Sequence, residues 1–135
     1  MTRRARTEVQ GRVETGLGQG GRFVALGWVR AGVRRLVGFT PYPGTLNVRL
    51  DPGEPRRRWR AVRRRRAPEL TPPRAGGCGA RLIPLLVAGR VPAVAVVPDV
   101  TRHGHQVVEV IAPGHLRRRL GLRDGDRVRL VVPSA

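Results

Sequence analysis

The chain has 135 residues, 40% of them hydrophobic, with two Trp, two Phe and one Tyr as its aromatics, which is material for one aliphatic-cored domain and not for two. All 27 basic residues are arginine, against nine acidic ones, and the formal net charge of +18 points to an anionic partner. The missing lysine excludes a Walker-type phosphate loop and Schiff-base chemistry, and the single Cys78 excludes an intramolecular disulfide and any multi-cysteine metal site.

Eighteen glycines and twelve prolines favour short elements joined by turns over a helix bundle. No apolar run approaches the roughly 18 residues of a membrane span, so a cytoplasmic protein with no membrane partner is expected. Residues 1–6 read as a basic tail. Thr7 to Val13 alternates as a strand. Gly16 to Gly21 forms a glycine-rich turn, and Arg22 to Gly27, with its Phe23-Val24-Ala25-Leu26 run, predicts a second strand. Val29, Val33, Leu36 and Val37 recur at helical spacing, so a short helix ends at Gly38. Phe39 to Gly44 holds two prolines and leads into Thr45 to Leu50, whose alternation marks a strand.

Residues 52–79 read as an irregular excursion within the domain, holding eight arginines between Arg56 and Arg66, then a proline- and glycine-rich stretch. Like charges at that spacing disfavour a helix, and the block is expected to be a solvated surface segment with at most weak, non-specific nucleic-acid contact. Ala80 to Ala88 and Val91 to Val97 are apolar strands joined by a tight Gly89-Arg90 turn. Gln106 to Ala112 is a further strand, Leu116 to Leu120 a short helix closing at Gly121, and Arg127 to Val132 a last strand after the Asp124-Gly125-Asp126 turn. The sum is a mainly β, barrel-like domain of six or seven strands with two short helices.

Candidate chemistry sits in few places. Alternation puts Thr45 and Asn47 on one strand face, and a hydroxyl and an amide oxygen are hard, neutral donors that suit Mg²⁺; the same residues also fit a stiffened turn whose side chains satisfy backbone groups. Gly16-Leu17-Gly18-Gln19-Gly20 permits close approach of a phosphate or forms an ordinary hairpin turn. Glu109, a lone carboxylate in an apolar strand, is either solvent-facing or retained for chemistry. Pro113-Gly114-His115-Leu116-Arg117 opens a helix whose free N–H groups suit an anion. His103 and His105 have no third soft ligand nearby, and Asp124-Gly125-Asp126 lacks the carboxylates of a calcium loop.

Together these pieces resemble a known family. The Gly38-Phe39-Thr40-Pro41-Tyr42-Pro43-Gly44-Thr45-Leu46-Asn47 run, the Gly16-Leu17-Gly18-Gln19-Gly20 turn ahead of Phe23-Val24, the Thr101 to Pro113 segment and the closing Leu116 to Val128 pattern look like the archaeal CTP-dependent riboflavin kinases, over about Thr7 to Val132. The resemblance implies a cradle-loop β-barrel that moves the terminal phosphoryl of CTP to the ribityl 5′-hydroxyl of riboflavin, giving FMN and CDP. It implies Mg²⁺ on Thr45 and Asn47. The nucleotide falls to Leu17, Gly18, Gln19, Gly20, Gly21 and Arg22 with Gly114, His115, Leu116 and Arg117. Flavin contact falls to Thr101 and Glu109, with Glu109 the group that orients or deprotonates the attacking hydroxyl. Gln19 departs from the glutamate usual in the family. A monomer is expected. The rival reading is a basic nucleic-acid-binding barrel resembling AbrB, supported by the charge and the Leu-x-Leu-x-Asp-Gly-Asp-x-Val close, and opposed by the scarcity of stacking aromatics.

Overall fold

The strands expected from alternation close on themselves. In the computed structural model, which describes residues 6–16, 19–74, 77–99 and 106–134, β1 (Thr7–Glu14), β2 (Leu46–Leu50), β3 (Glu69–Leu70), β4 (Ala80–Val87), β5 (Val91–Pro98), β6 (Val107–Ile111) and β7 (Arg127–Val132) alternate with α1 (Gln19–Ala25), α2 (Gly27–Val37), α3 (Glu54–Val62) and α4 (Leu116–Leu120). The sheet order is β3-β4-β5-β6-β2-β1-β7, and β7 also pairs with the far end of β4. Six antiparallel strands therefore form a closed barrel, with β3 an extra strand beside the start of β4. Closure removes free sheet edges.

Period-two burial explains which residues point inward. Val9, Val13, Leu46, Val48, Leu50, Ile83, Leu85, Val87, Val108, Val110, Val128 and Leu130 fill the lumen. Gly11 supplies no side chain there: a Cβ would lie 2.1 Å from the Arg49 carbonyl, so its absence lets β1 and β2 approach. On β5, Val91, Ala93, Ala95 and Val97 face the lumen while Val94 and Val96 join an outer cluster with Val24, Val29, Val33 and Leu82 under α1 and α2. A strand covered on both faces reads as an unbroken apolar run, as this one does. The hairpin from β4 to β5 turns through Ala88, Gly89 and Arg90 between the paired Val87 and Val91, with Ala88 and Gly89 at positive φ, so the turn starts one residue earlier than expected.

Two elements correct the sequence reading. The Arg22 to Gly27 segment is helical, within α1 and the start of α2, where a strand was expected, so the glycine-rich segment leads from a strand into a helix and not into a hairpin. Within 52–79, the first half of the arginine block, Arg56 to Arg60, lies in α3, with Trp59 and Val62 buried in the barrel cluster. At roughly 1.5–3 kcal/mol for a buried aliphatic side chain, and more for a tryptophan, that burial outweighs like-charge pairs of a few tenths each. Glu54 also pairs with Arg57 and Arg58 one turn on.

Candidate active site

The lumen is filled, so the polar residues gather on the outer face at one end. With Leu46 and Val48 inside, Thr45 and Asn47 point outward; Asn47 is 8% exposed and the single buried polar residue among the described residues. The Thr45 hydroxyl donates to Asn47 Oδ1 at 3.2 Å, so the two oxygens converge. Asn47 lies opposite Glu109 on β6 and opposite Glu14 on β1.

Gly16, after β1, and Gly20, in the first turn of α1, press onto Thr45, Asn47 and Glu109. A Cβ on Gly20 would stand 2.9 Å from Thr45 Oγ1 and 3.0 Å from Glu109 Oε2, and one on Gly16 would stand 2.0 Å from Asn47 Nδ2. A side chain at either position would have to displace these polar groups, and glycine lets the backbone approach them. A Cβ on Gly21 would meet the Pro43-Gly44 backbone only at ordinary contact distance, 3.6 Å from the Pro43 carbonyl oxygen. The Phe39–Gly44 stretch is anchored by the Tyr42 N–H donating to the Ala112 carbonyl at 2.8 Å, which fixes it beside the end of β6.

α4 closes the other side. Leu116 is buried in the barrel cluster, His115 caps the helix by accepting the Arg118 N–H on Nδ1 at 3.1 Å, and Gly121 ends it in the left-handed conformation. A neutral His115 therefore carries its proton on Nε2. Its ring meets Tyr42 edge-on with centroids 4.9 Å apart. Arg117 reaches back to the Glu14 carbonyl at 3.0 Å and Asp124 Oδ1 at 2.7 Å, while the Thr15 hydroxyl donates to Asp124 Oδ2 at 2.7 Å. The Thr15 hydroxyl and then the Arg117 guanidinium hold the Asp124 carboxyl below its usual range.

The result is a cleft in two connected parts. One is lined by Tyr42, Gly44, Thr45, Gly114, His115 and Arg117, the other by Gly16, Gly21, Arg22, Thr45, Asn47 and Arg117. Thr45, Gly44 and Arg117 belong to both. The structure thus brings together Gly20, Gly21, Arg22, Thr45, Asn47, Glu109, Gly114, His115, Leu116 and Arg117. Gln19 begins α1; Leu17, Gly18, Thr101, His103 and His105 lie outside the described residues. Among the described residues no group of three His, Cys, Asp or Glu gathers as a metal site, and the donor set at Thr45 and Asn47, neutral oxygens with a carboxylate opposite, is the hard-oxygen kind that suits Mg²⁺.

Sequence reasoning missed four participants: Glu14, Thr15, Tyr42 and Arg49. Arg49 holds Glu14 through Nε at 2.7 Å and Nη2 at 3.2 Å, one alternation beyond Asn47 on the same face; the repeat Thr45, Asn47, Arg49 was the available signal.

The model of the CTP-dependent riboflavin kinase family, described as domain of unknown function DUF120, matches residues 13–132. The riboflavin kinase of Pyrobaculum islandicum is 39% identical over 131 residues, 92% of this chain and 59% of that protein. Those of Saccharolobus solfataricus and Methanopyrus kandleri are 33% and 41% identical, over 93% and 87% of this chain and 73% and 77% of their own lengths. The chain spans about three fifths of the Pyrobaculum relative's length. With a barrel that sets the family-model match on a cleft of glycines, oxygens and arginine, the chain belongs to the CTP-dependent riboflavin kinase family.

Proposed function

We propose that the protein is a riboflavin kinase that transfers the terminal phosphoryl of CTP to the ribityl 5′-hydroxyl of riboflavin, releasing FMN and CDP, in the cytoplasm. The observation that carries this reading is the packing of Gly16 and Gly20 directly on Asn47, Thr45 and Glu109, which sets two glycines against both the oxygen donors and a carboxylate.

Leu17, Gly18, Gln19, Gly20, Gly21 and Arg22 hold the nucleotide together with Gly114, His115, Leu116 and Arg117. Arg117, fixed by Asp124 and the Glu14 carbonyl, offers its charge to the phosphates without needing to be ordered first, and Arg22 adds a second guanidinium from α1. Thr45 and Asn47 are the residues that hold Mg²⁺, which when bound neutralises phosphate charge as the transfer proceeds. Thr101 and Glu109 take the flavin. Glu109 accepts the proton of the 5′-hydroxyl as its oxygen bonds to the terminal phosphorus and the bond from that phosphorus to the bridging oxygen breaks. Such general-base help is worth about 10²–10⁴-fold; positioning the reactants in line supplies much of the rest.

The test is FMN formation, followed by flavin chromatography, with each of the four nucleoside triphosphates. CTP should exceed ATP by at least about tenfold, because a pocket pairing with a base's polar edge leaves groups unsatisfied against the wrong base. Equal rates with ATP and CTP would refute the donor assignment, and no FMN with any donor would refute the kinase.

A further inference from the structure

α3 carries a cationic ridge that nothing in the proposed reaction uses. Its apolar side is committed to the barrel through Trp59 and Val62. At 100° per residue, Arg57, Arg60 and Arg64 fall on the opposite side, Arg64 continuing the helical turn through its N–H to the Ala61 carbonyl. They span about 10 Å of axis and all three are exposed, as is Arg66 just beyond. From Glu54 to Glu69 the chain has no other acidic residue. Arg57 is paired with Glu54, whereas Arg60 and Arg64 make no ion pair among the described residues. Burial and then the like charge of Arg81 push the Arg63 guanidinium below its usual value, so cations already crowd one another at this end.

We infer that this ridge docks the phosphodiester backbone of nucleic acid without reading its sequence. A row of guanidinium groups one helical turn apart suits a row of phosphates, and each neutralised phosphate releases counterions. A lipid surface fits less well. An interfacial helix needs its apolar face outward, but that of α3 is buried, and the exposed large hydrophobics among the described residues, Leu26 and Tyr42, lie on other segments. An acidic protein partner fits less well too, because the ridge offers no aromatic or aliphatic anchor of the kind that centres such interfaces.

The ridge is also remote from the cleft. Arg65, at its end, donates to Thr7 Oγ1 and to the Pro133 carbonyl, each at 3.0 Å. Glu14, which lines the cleft, stands at the other end of the same strand, about 23 Å away along it. Nucleic acid on α3 and nucleotide in the cleft should therefore bind without competing.

Fluorescence anisotropy with a labelled 20-base-pair mixed-sequence DNA duplex, and with an RNA duplex of that length, tests this across a salt series. The full chain is compared with the triple variant Arg57→Gln, Arg60→Gln, Arg64→Gln and with an equal-charge control on exposed α2 positions, Arg30→Gln, Arg34→Gln, Arg35→Gln. Glutamine keeps helix propensity, and circular dichroism checks that each variant folds. The ridge variant should bind at least about tenfold more weakly near 0.1 M salt, with a salt slope shallower by about two to three. The control should stay within about threefold, and saturating CTP should leave duplex binding unchanged. Equal losses in both variants would make the binding a diffuse effect of net charge and overturn the proposal. It is equally overturned by an unaffected ridge variant, by displacement of the duplex by CTP, or by capture on phosphatidylserine vesicles with no duplex binding.

Discussion

Replacing Asn47 with alanine separates chemistry from folding more cleanly than any other single change. The residue is 8% exposed, and among the described residues its side chain accepts the 3.2 Å hydrogen bond from the Thr45 hydroxyl. Losing that contact costs on the order of 1 kcal/mol, because the freed hydroxyl lies at a cleft where water can replace its partner. The lumen is untouched: Leu46 and Val48, 3% and 0% exposed, face the other way. Space opens beside Gly16, whose close approach to the amide no longer matters. If Asn47 holds the cation that neutralises the phosphates, its loss removes a contact that strengthens in the transition state, and one such contact is worth about 10²–10³ in turnover. Steady-state FMN formation should fall by that factor, while the midpoint of the Mg²⁺ titration moves to higher concentration and excess Mg²⁺ restores only part of the rate. Thr45→Val should behave alike, and the double variant should lose less than the product of the two, as groups serving one ion do. Unchanged FMN formation, or a protein that no longer folds, would refute the reasoning and leave the two residues as a stiffened turn.

Three more outcomes follow from the geometry. Glu109→Gln keeps shape but cannot accept a proton, so turnover should drop by about 10²–10⁴-fold with riboflavin affinity, measured by quenching of flavin fluorescence, changed little; turnover within a few fold of the parent would remove Glu109 from the proton path. Gly20→Ala should raise intrinsic helix stability in α1 by about 0.5–1 kcal/mol while its methyl pushes on Thr45 and Glu109, so activity falls without a matching fall in Tm; normal turnover would show that this contact yields freely. Trp59→Ala should cost about 3–5 kcal/mol and lower Tm by about 10 °C or more, since Trp59 is 2% exposed; an unmoved Tm would return α3 to a solvated excursion.

The strands of the barrel were legible because alternation is a direct consequence of one face being buried, as in Val9, Gly11 and Val13 on β1 or Val128, Leu130 and Val132 on β7. The helices were legible only where the apolar spacing was long enough. Val29 and Val33 announced α2, whereas the seven residues of α1 present Phe23, Val24 and Ala25 in succession, which is indistinguishable from a short strand. There tertiary context decides: Val24 packs under the α2 cluster and Phe23 meets Trp28 edge-on at 5.8 Å. In α3 the signal was present but small, Trp59 and Val62 at i, i+3 with Glu54 one turn ahead of Arg57 and Arg58. Eight arginines obscured two buried side chains that carry more energy. At the cleft, residue types and spacing were readable for Thr45, Asn47 and Glu109. The supporting contacts of Thr15 with Asp124 and of Arg117 with the Glu14 carbonyl were not, because they join positions over a hundred residues apart.

Placing the cleft at the rim of the barrel follows from the barrel's size. Six strands leave a lumen that valine and leucine side chains fill, so the site is assembled at its rim, where Leu46, Val110 and Leu116 line one part of the cleft, and from outward positions that would otherwise face water. The outer face over β4, β5 and β6 is taken by α1 and α2, whose cluster includes Leu82, Val94, Val96 and Ile111. At the edge of that cover, where β2 meets β6 and β1, the outward residues change from apolar to Thr45, Asn47, Glu109 and Glu14. Gly16, after β1, and Gly20, in the first turn of α1, come within contact distance of these side chains, and Leu116 pins α4 to the barrel cluster. A wall on each side and a polar floor thus arise from one requirement, that the same β2 strand give its even-numbered residues to the core and its odd-numbered ones to the cleft. A register shift of one residue in β2 would exchange the two sets. The core and the oxygen donors are therefore fixed by one pairing, and no conservative change in the lumen of β2 that preserves this register should abolish the site.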